Sequence, residues 1–250
     1  MTPRRAARTR RAPRVALVTG AGTRVGQAVA LALAADGYHV AVHHRRSAAG
    51  ARDTVRRVRA AGGEAAAFKA DLTVAGAPER LVEAVVRGMG RIDLLVNSAA
   101  SMTRTPLRTV TARAWDEVFA LNLRAPFFCA IAAARAMPRG GVVVNISDHM
   151  GFESWPEFVP HGVSKAAVVA MTHALAAALA PRVRVAAVVP GFVLAPAGLP
   201  AAWQRAFARA TPLRRIGTPA DVADAVRYLA AASYVTGEAL FVDGGRRGAR

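Results

Sequence analysis

Residues 19–26 read Thr-Gly-Ala-Gly-Thr-Arg-Val-Gly, between an apolar stretch and a helical pattern. Glycines in such a turn let the backbone approach a pyrophosphate, whose charge then sits at a helix N-terminus. Gly20, Thr23, Arg24, Val25 and Gly26 are therefore candidate phosphate-binding residues. Glycines alone are a weak signal, and an ordinary Gly-rich turn is the bland alternative; the place between strand and helix strengthens the sharper reading. A second charged group follows at His43-His44-Arg45-Arg46-Ser47, with no acid before Asp53. An Asp or Glu there would hold a ribose 2′-hydroxyl, whereas two guanidinium groups and a hydroxyl suit a 2′-phosphate. The cofactor expected from Arg45, Arg46 and Ser47 is NADPH/NADP+. The alternative is two more arginines in an arginine-rich chain.

These groups must be positioned by regular elements. Strand-like segments at 14–19, 38–43, 64–69, 92–97, 141–147, 183–189 and 239–242 alternate with helix-like segments at 25–35, 48–61, 78–89, 114–137, 162–180 and 221–231. A segment rich in Ala, Pro and Gly at 190–200 leads to a further short helix, and 192–210 reads as an apolar lid. Strands that are apolar almost throughout suit a parallel sheet covered on both faces. The fold class is α/β: a single Rossmann-type, doubly wound parallel sheet of about seven strands with helices on both faces. If the first and fourth strands are neighbours where the strand order reverses, the glycine turn faces the loop Asn97-Ser98-Ala99-Ala100. Its small residues would let a nicotinamide ribose pass close to the backbone.

The 250 residues fit one domain at 14–250, with an Arg-rich segment at 1–13 that reads as a disordered tail. The net charge of +18 invites a nucleic-acid partner. Lys69 and Lys165, however, are the only lysines among 34 basic residues, and alanine is abundant, a bias that a GC-rich genome produces without selection for binding. No basic stripe with interleaved aromatics is present, so nucleic acid is not the expected partner; polyanion contact by the tail is the sharper alternative. The weakly polar run at 166–180 is shorter than a bilayer span, and no apolar region follows the basic start, so neither membrane nor secretion is expected. A lone Cys129 excludes an internal disulfide and fits a cytoplasmic protein.

Taken in order, these motifs resemble the short-chain dehydrogenase/reductase family over 13–246. The resemblance rests on the turn at 19–26, Asp71-Leu72 beside the adenine, Asn97 to Ala100, Asn122 in the long helix, Pro190-Gly191 and the closing segment at 233–245. It implies cofactor contacts from Asp71, Leu72, Asn97, Ser98, Ala99, Pro190, Gly191 and Val193, and a homotetramer or homodimer. Within the family the chain is most similar to the pteridine reductase branch. There the middle turn glycine is an arginine, as Arg24 is here, and an HRS-like triplet corresponds to Arg45-Arg46-Ser47. That branch also has Asp where most relatives have a catalytic Ser, matching Asp148. Two departures stand out: the family's YxxxK reads His161-Gly162-Val163-Ser164-Lys165, and Met102 replaces the aromatic that stacks on a pterin.

The resemblance implies hydride transfer to a small C=O or cyclic C=N substrate, possible pteridine-like rings included. Asn122, Asp148, His161 and Lys165 are the catalytic set, and Lys165 also holds the ribose. His161 and Lys165 share a helix face at i, i+4. Imidazole is a capable acid near neutrality, and ionised Asp148 favours its protonated form, so the two form a proton relay. Ser101, Met102, His149 and Phe192 are candidate substrate contacts; His149 and Glu153 are reserve proton donors. The competing reading is an NADP(H)-binding pseudoenzyme or scaffold whose catalysis is reduced or lost at His161.

Overall fold

A computed structural model describes residues 13–194 and 200–248. The expectations for residues 1–12, and the 195–199 portion of the proposed lid, lie outside the described residues. Seven strands form one sheet in the order β3-β2-β1-β4-β5-β6-β7. They are β1 (Val15–Val18), β2 (His39–His44), β3 (Ala65–Lys69), β4 (Leu94–Asn97), β5 (Gly141–Ile146), β6 (Val183–Pro190) and β7 (Ala239–Val242). Every neighbouring pair is parallel, and the order reverses between β1 and β4, where Leu17 pairs with Leu95. β1 and β4 are buried at every position, as apolar strands between two helical layers must be.

One core layer joins α1 (Arg24–Ala35) and α8 (Pro219–Ala231) to the sheet through Val29, Leu33, Val222, Val226 and Leu229. The other places α3 (Ala77–Met89), α5 (Ala125–Arg135) and α6 (Val159–Leu179) on the opposite face through Leu81, Val85, Cys129, Ala133 and Leu175. α2 (Ala48–Ala60) flanks β2 and β3, and α7 (Ala201–Ala210) follows the apolar segment after β6.

Three local departures from the sequence reading bear on the site. β2 continues one residue further, to His44, so both histidines stand in the sheet. α6 starts at Val159 rather than 162, because Pro160 is accommodated in a helix's first turn; His161 therefore lies inside the first turn and is buried. The long fourth helix is divided into α4 (Ala112–Phe119) and α5 by a π-helical turn at Ala120–Arg124 that contains buried Asn122.

The segment 166–180 also belongs to a longer helix than its run of apolar residues suggests. By length and composition alone, Ala112–Arg135 and Val159–Leu179 are each long and apolar enough to cross a membrane. Both pack against the sheet, with 50% and 39% of their most apolar stretches buried.

Candidate active site

A cleft of about 720 Å³ opens at the carboxyl ends of the strands, along the β1/β4 reversal. At one end the turn between β1 and α1 is held from beneath. Thr19 Oγ1 accepts hydrogen bonds from the N–H groups of Ser98 and Ala99 at 2.9 and 3.0 Å, tying the turn to the loop after β4. Gly20 adopts φ +69°, and a Cβ on Gly26 would lie 2.4 Å from the Gly20 carbonyl oxygen. Arg24 also takes positive φ, at 53°, a conformation that costs a non-glycine residue about 1–2 kcal/mol. Strain of this kind persists where the surrounding structure enforces it, commonly at binding sites.

Thr23 caps α1 without a side-chain hydrogen bond, and the first turn holds no acid. The leading N–H groups of α1 thus face the cleft with their dipole uncompensated, which fits a pyrophosphate. Thr23, Arg24, Val25 and Gly26 all line this end.

Beyond the turn, His44, Arg45, Arg46, Ser47 and Leu72 form the next wall. Arg45 Nη2 pairs with Asp71 Oδ2 at 2.9 Å, so its charge is partly committed to the loop after β3. Arg46 has no ion pair among the described residues, which makes it the freer guanidinium for a 2′-phosphate. Asn97 departs from the wall: its Nδ2 donates to Pro126 O at 3.2 Å and Asn145 Oδ1 at 2.9 Å, holding β4, β5 and α5 together. Ser98 and Ala99 do line the cleft, as do Pro190, Gly191, Phe192 and Val193 on the far side.

The other end is built from side chains. Lys165, buried in α6, donates from Nζ to Ile146 O at 2.8 Å. Burial pushes its ammonium down to about 8, and Asp148 opposes that shift. Asp148 follows β5, and its Oδ1 accepts from Met150 N–H at 2.8 Å. Two imidazoles flank its carboxylate: His149 Nδ1 at 3.1 Å and His161 Nε2 at 3.5 Å. Burial alone would raise the Asp148 carboxyl, but the two histidines and the Met150 N–H outweigh it and hold the group well below the ordinary carboxylate range. About a quarter of the Asp148 side chain remains open, against 3% for His161 and 7% for His149.

His161 Nδ1 lies 2.9 Å from Ser101 O. Asn122 Nδ2 also lies 3.3 Å from Nδ1, but its two hydrogens go to Ser101 O and Ser164 Oγ; a carbonyl oxygen only accepts, so the Ser101 contact assigns a hydrogen to Nδ1. Asn122 frames this arrangement, accepting from Ser101 N–H at 2.8 Å and donating to Ser101 O at 2.9 Å and Ser164 Oγ at 3.1 Å. Its place in the π-helical turn aims both ends of the amide at the same loop.

Among the sequence candidates, Asp148, His149, His161, Lys165, Met102 and Phe192 meet in the cleft, while Asn122 and Ser101 stand behind His161. Glu153, a reserve donor by sequence, is instead held by Arg246 through contacts of 2.8 and 3.1 Å. His43 and Met150 also reach the cleft and were missed by motif reading. His43 stands in the segment His43–Ser47, where the sequence reading assigns a role only to Arg45, Arg46 and Ser47; its place two residues before Arg45 was the available signal.

A family profile described as enoyl-(acyl carrier protein) reductase matches residues 20–247. A 3-oxoacyl-[acyl-carrier-protein] reductase of Synechocystis sp. is 37% identical over 239 residues, covering 92% of this chain and 96% of that protein. The structure of acetoin dehydrogenase from Enterobacter cloacae superposes with a TM-score of 0.87 at 32% identity, covering 95% of this chain and 96% of the other. The angucycline C-6 ketoreductase LanV with bound NADP gives 0.88 at 31% identity, covering 94% and 95%.

Proposed function

The chain belongs to the short-chain dehydrogenase/reductase family of oxidoreductases, and within it we propose an NADPH-dependent reductase of a small C=O or cyclic C=N compound. The observation that carries this reading is a single cleft with an uncompensated helix N-terminus and Arg46 at one end and Asp148, His161 and Lys165 at the other. NADPH, when bound, supplies the hydride. The N–H groups of α1 would hold the pyrophosphate, Arg46 and Ser47 the 2′-phosphate, and Lys165 the nicotinamide ribose. NADP in the LanV structure supports the choice of cofactor.

Proton supply separates the two substrate classes. A ketone oxygen becomes an alkoxide and needs a proton. With Nδ1 already a donor, a second hydrogen on His161 Nε2 complements the Asp148 carboxylate. That proton passes from Nε2 to a carboxylate oxygen of Asp148 and on to the substrate oxygen. A cyclic imine that arrives protonated needs only hydride, and its N–H+ finds a counter-ion in the open carboxylate. On this ground we infer a preference for C=N over C=O, whereas the oxoacyl reductase and ketoreductase relatives support the C=O class. A pteridine-like ring is one member of that class, and Met102 offers it a flexible apolar surface in place of an aromatic.

One observation favours the competing pseudoenzyme reading: His161 Nε2 is buried and has no well-aligned hydrogen-bond partner. NADPH oxidation across matched cyclic imines and ketones decides between them. The enzyme reading expects turnover, of which His161→Phe removes the ketone part while NADPH affinity stays near the wild-type value. NADPH binding without turnover of any member supports the pseudoenzyme.

We also place the protein in the cytoplasm as a homo-oligomer. Cys129 is a buried thiol that burial pushes up to about 12, inert in a reducing compartment. A groove between the two long helices exposes Phe127 and Phe128 beside Leu123 and Met171, and a second copy would cover it. Light scattering tests this: Phe128→Glu is expected to yield monomer, and an unchanged mass would remove the interface from this groove.

A further inference from the structure

We propose that His43 is a positioning residue for the cofactor, a buried imidazole that holds the glycine turn and the adenine-side loop in register. The inference rests on the cofactor reading above and adds a residue that makes none of the charged contacts. His43 lies at the end of β2 and is 2% exposed. Its Nδ1 accepts the Gly20 N–H at 3.1 Å. Its Nε2 lies 3.1 Å from Ala70 O, which can only accept. One tautomer satisfies both contacts, the neutral ring with its hydrogen on Nε2. The backbone repeats the connection, since His43 O accepts from Ala21 N–H at 2.9 Å and His44 O from Ala70 N–H at 3.1 Å.

Each group that this ring touches precedes a cofactor-facing segment. Gly20 opens the phosphate turn, Ala70 leads directly into Asp71-Leu72, and His43 itself stands two residues before Arg45. The ring is therefore a splint between the pyrophosphate end and the adenine end of one ligand. Burial pushes its basicity down to about 4, so the neutral ring persists at ordinary pH beside His44 and Asp71. An added proton would set a donor against the Gly20 N–H and break the splint. A purely apolar replacement would leave the Gly20 N–H without its partner in a place that solvent reaches poorly.

NADPH and adenosine 2′,5′-bisphosphate titrations of the full chain, with thermal unfolding of each variant, test the proposal. His43→Phe is expected to weaken NADPH by about tenfold, or 1.4 kcal/mol, and to weaken the bisphosphate as well, because the adenine loop loses its tie. His43→Gln retains an acceptor and a donor and is expected to recover affinity to within about threefold on that scale. Wild-type affinity in folded His43→Phe, or equal losses in both variants, would overturn the proposal. Nitrogen NMR on wild-type protein gives a reading that does not depend on a variant folding: Nε2–H is expected, and Nδ1–H would overturn it. Wild-type protein that fails to bind NADPH defeats the cofactor reading itself, whereas normal wild-type binding with unaffected variants defeats only the role of His43.

Discussion

The two ends of the cleft are made of different material. At the end proposed for the phosphates the groups on offer are backbone N–H donors of α1, shaped by glycines and by Arg24 in a left-handed conformation. At the end proposed for the reaction they are side chains: a quarter-exposed carboxylate between two nearly closed imidazoles, with a lysine beneath. Backbone geometry tolerates no substitution that adds volume at its tightest points, but it is indifferent to most chemistry. A side-chain cluster tolerates changes in shape, and one altered proton changes what it does. A substitution at either end should therefore fail in a different way.

The largest expected effect breaks the backbone end. Gly26→Val places carbon where only 2.4 Å separates a Cβ from the Gly20 carbonyl. NADPH affinity is expected to fall by about 100-fold or more, given what overpacking of a tight site costs. Titration by cofactor fluorescence checks it, and near-normal binding would show that the turn does not grip the pyrophosphate. Asp148→Asn addresses the other end. It keeps the shape and removes the charge, so turnover should drop by about 10²–10³ while NADPH binding changes little. Equal losses in affinity and turnover would mean that the two ends are not separable.

This difference in material also explains what the sequence made legible. The alternation of apolar strands with helices and the turn at 19–26 could be read because each has a fixed spacing, whereas the neighbourhood of β1 and β4 entered only as a condition. The pairing of Arg45 with Asp71 could not, since the two are brought together only by the parallel register of β2 and β3. The same register hid His43, whose partners Gly20 and Ala70 lie on two other segments. At the reaction end, the spacing of Asp148, His161 and Lys165 was visible. The capture of Glu153 by Arg246 was not, because it joins the loop after β5 to the C-terminal segment. The start of α6 at Val159, three residues before the expected 162, was missed as well; Pro160 falls in its first turn, where a proline is tolerated.

Smaller effects sharpen the contrast. Lys165 is depressed to about 8 by burial, so its positive charge is lost as pH rises through that value. A cation assists an anionic cofactor, and NADPH affinity should decline by about a few-fold between pH 7 and 9 in wild type but not in Lys165→Met. A parallel decline in both would place the titrating group elsewhere. Arg46→Ala should reduce the preference for NADPH over NADH by about tenfold, and Arg45→Ala by less, because Arg45 already answers to Asp71. The reverse ranking would mean that the ion pair opens when the cofactor binds. The smallest effect is a control outside both ends. Thr218 caps α8 in a capping box with Asp221, and Thr218→Ala should cost about 1 kcal/mol in unfolding while leaving cofactor affinity unchanged.

The most direct test of the account follows one atom. Wild-type protein is given NADPH deuterated at C4 together with matched cyclic imines and ketones, and the products are weighed by mass spectrometry. The account predicts a product carrying a single deuterium on the reduced carbon, formed faster from the imines than from the ketones. NADPH that binds tightly yet leaves every member of the panel unreduced would contradict it.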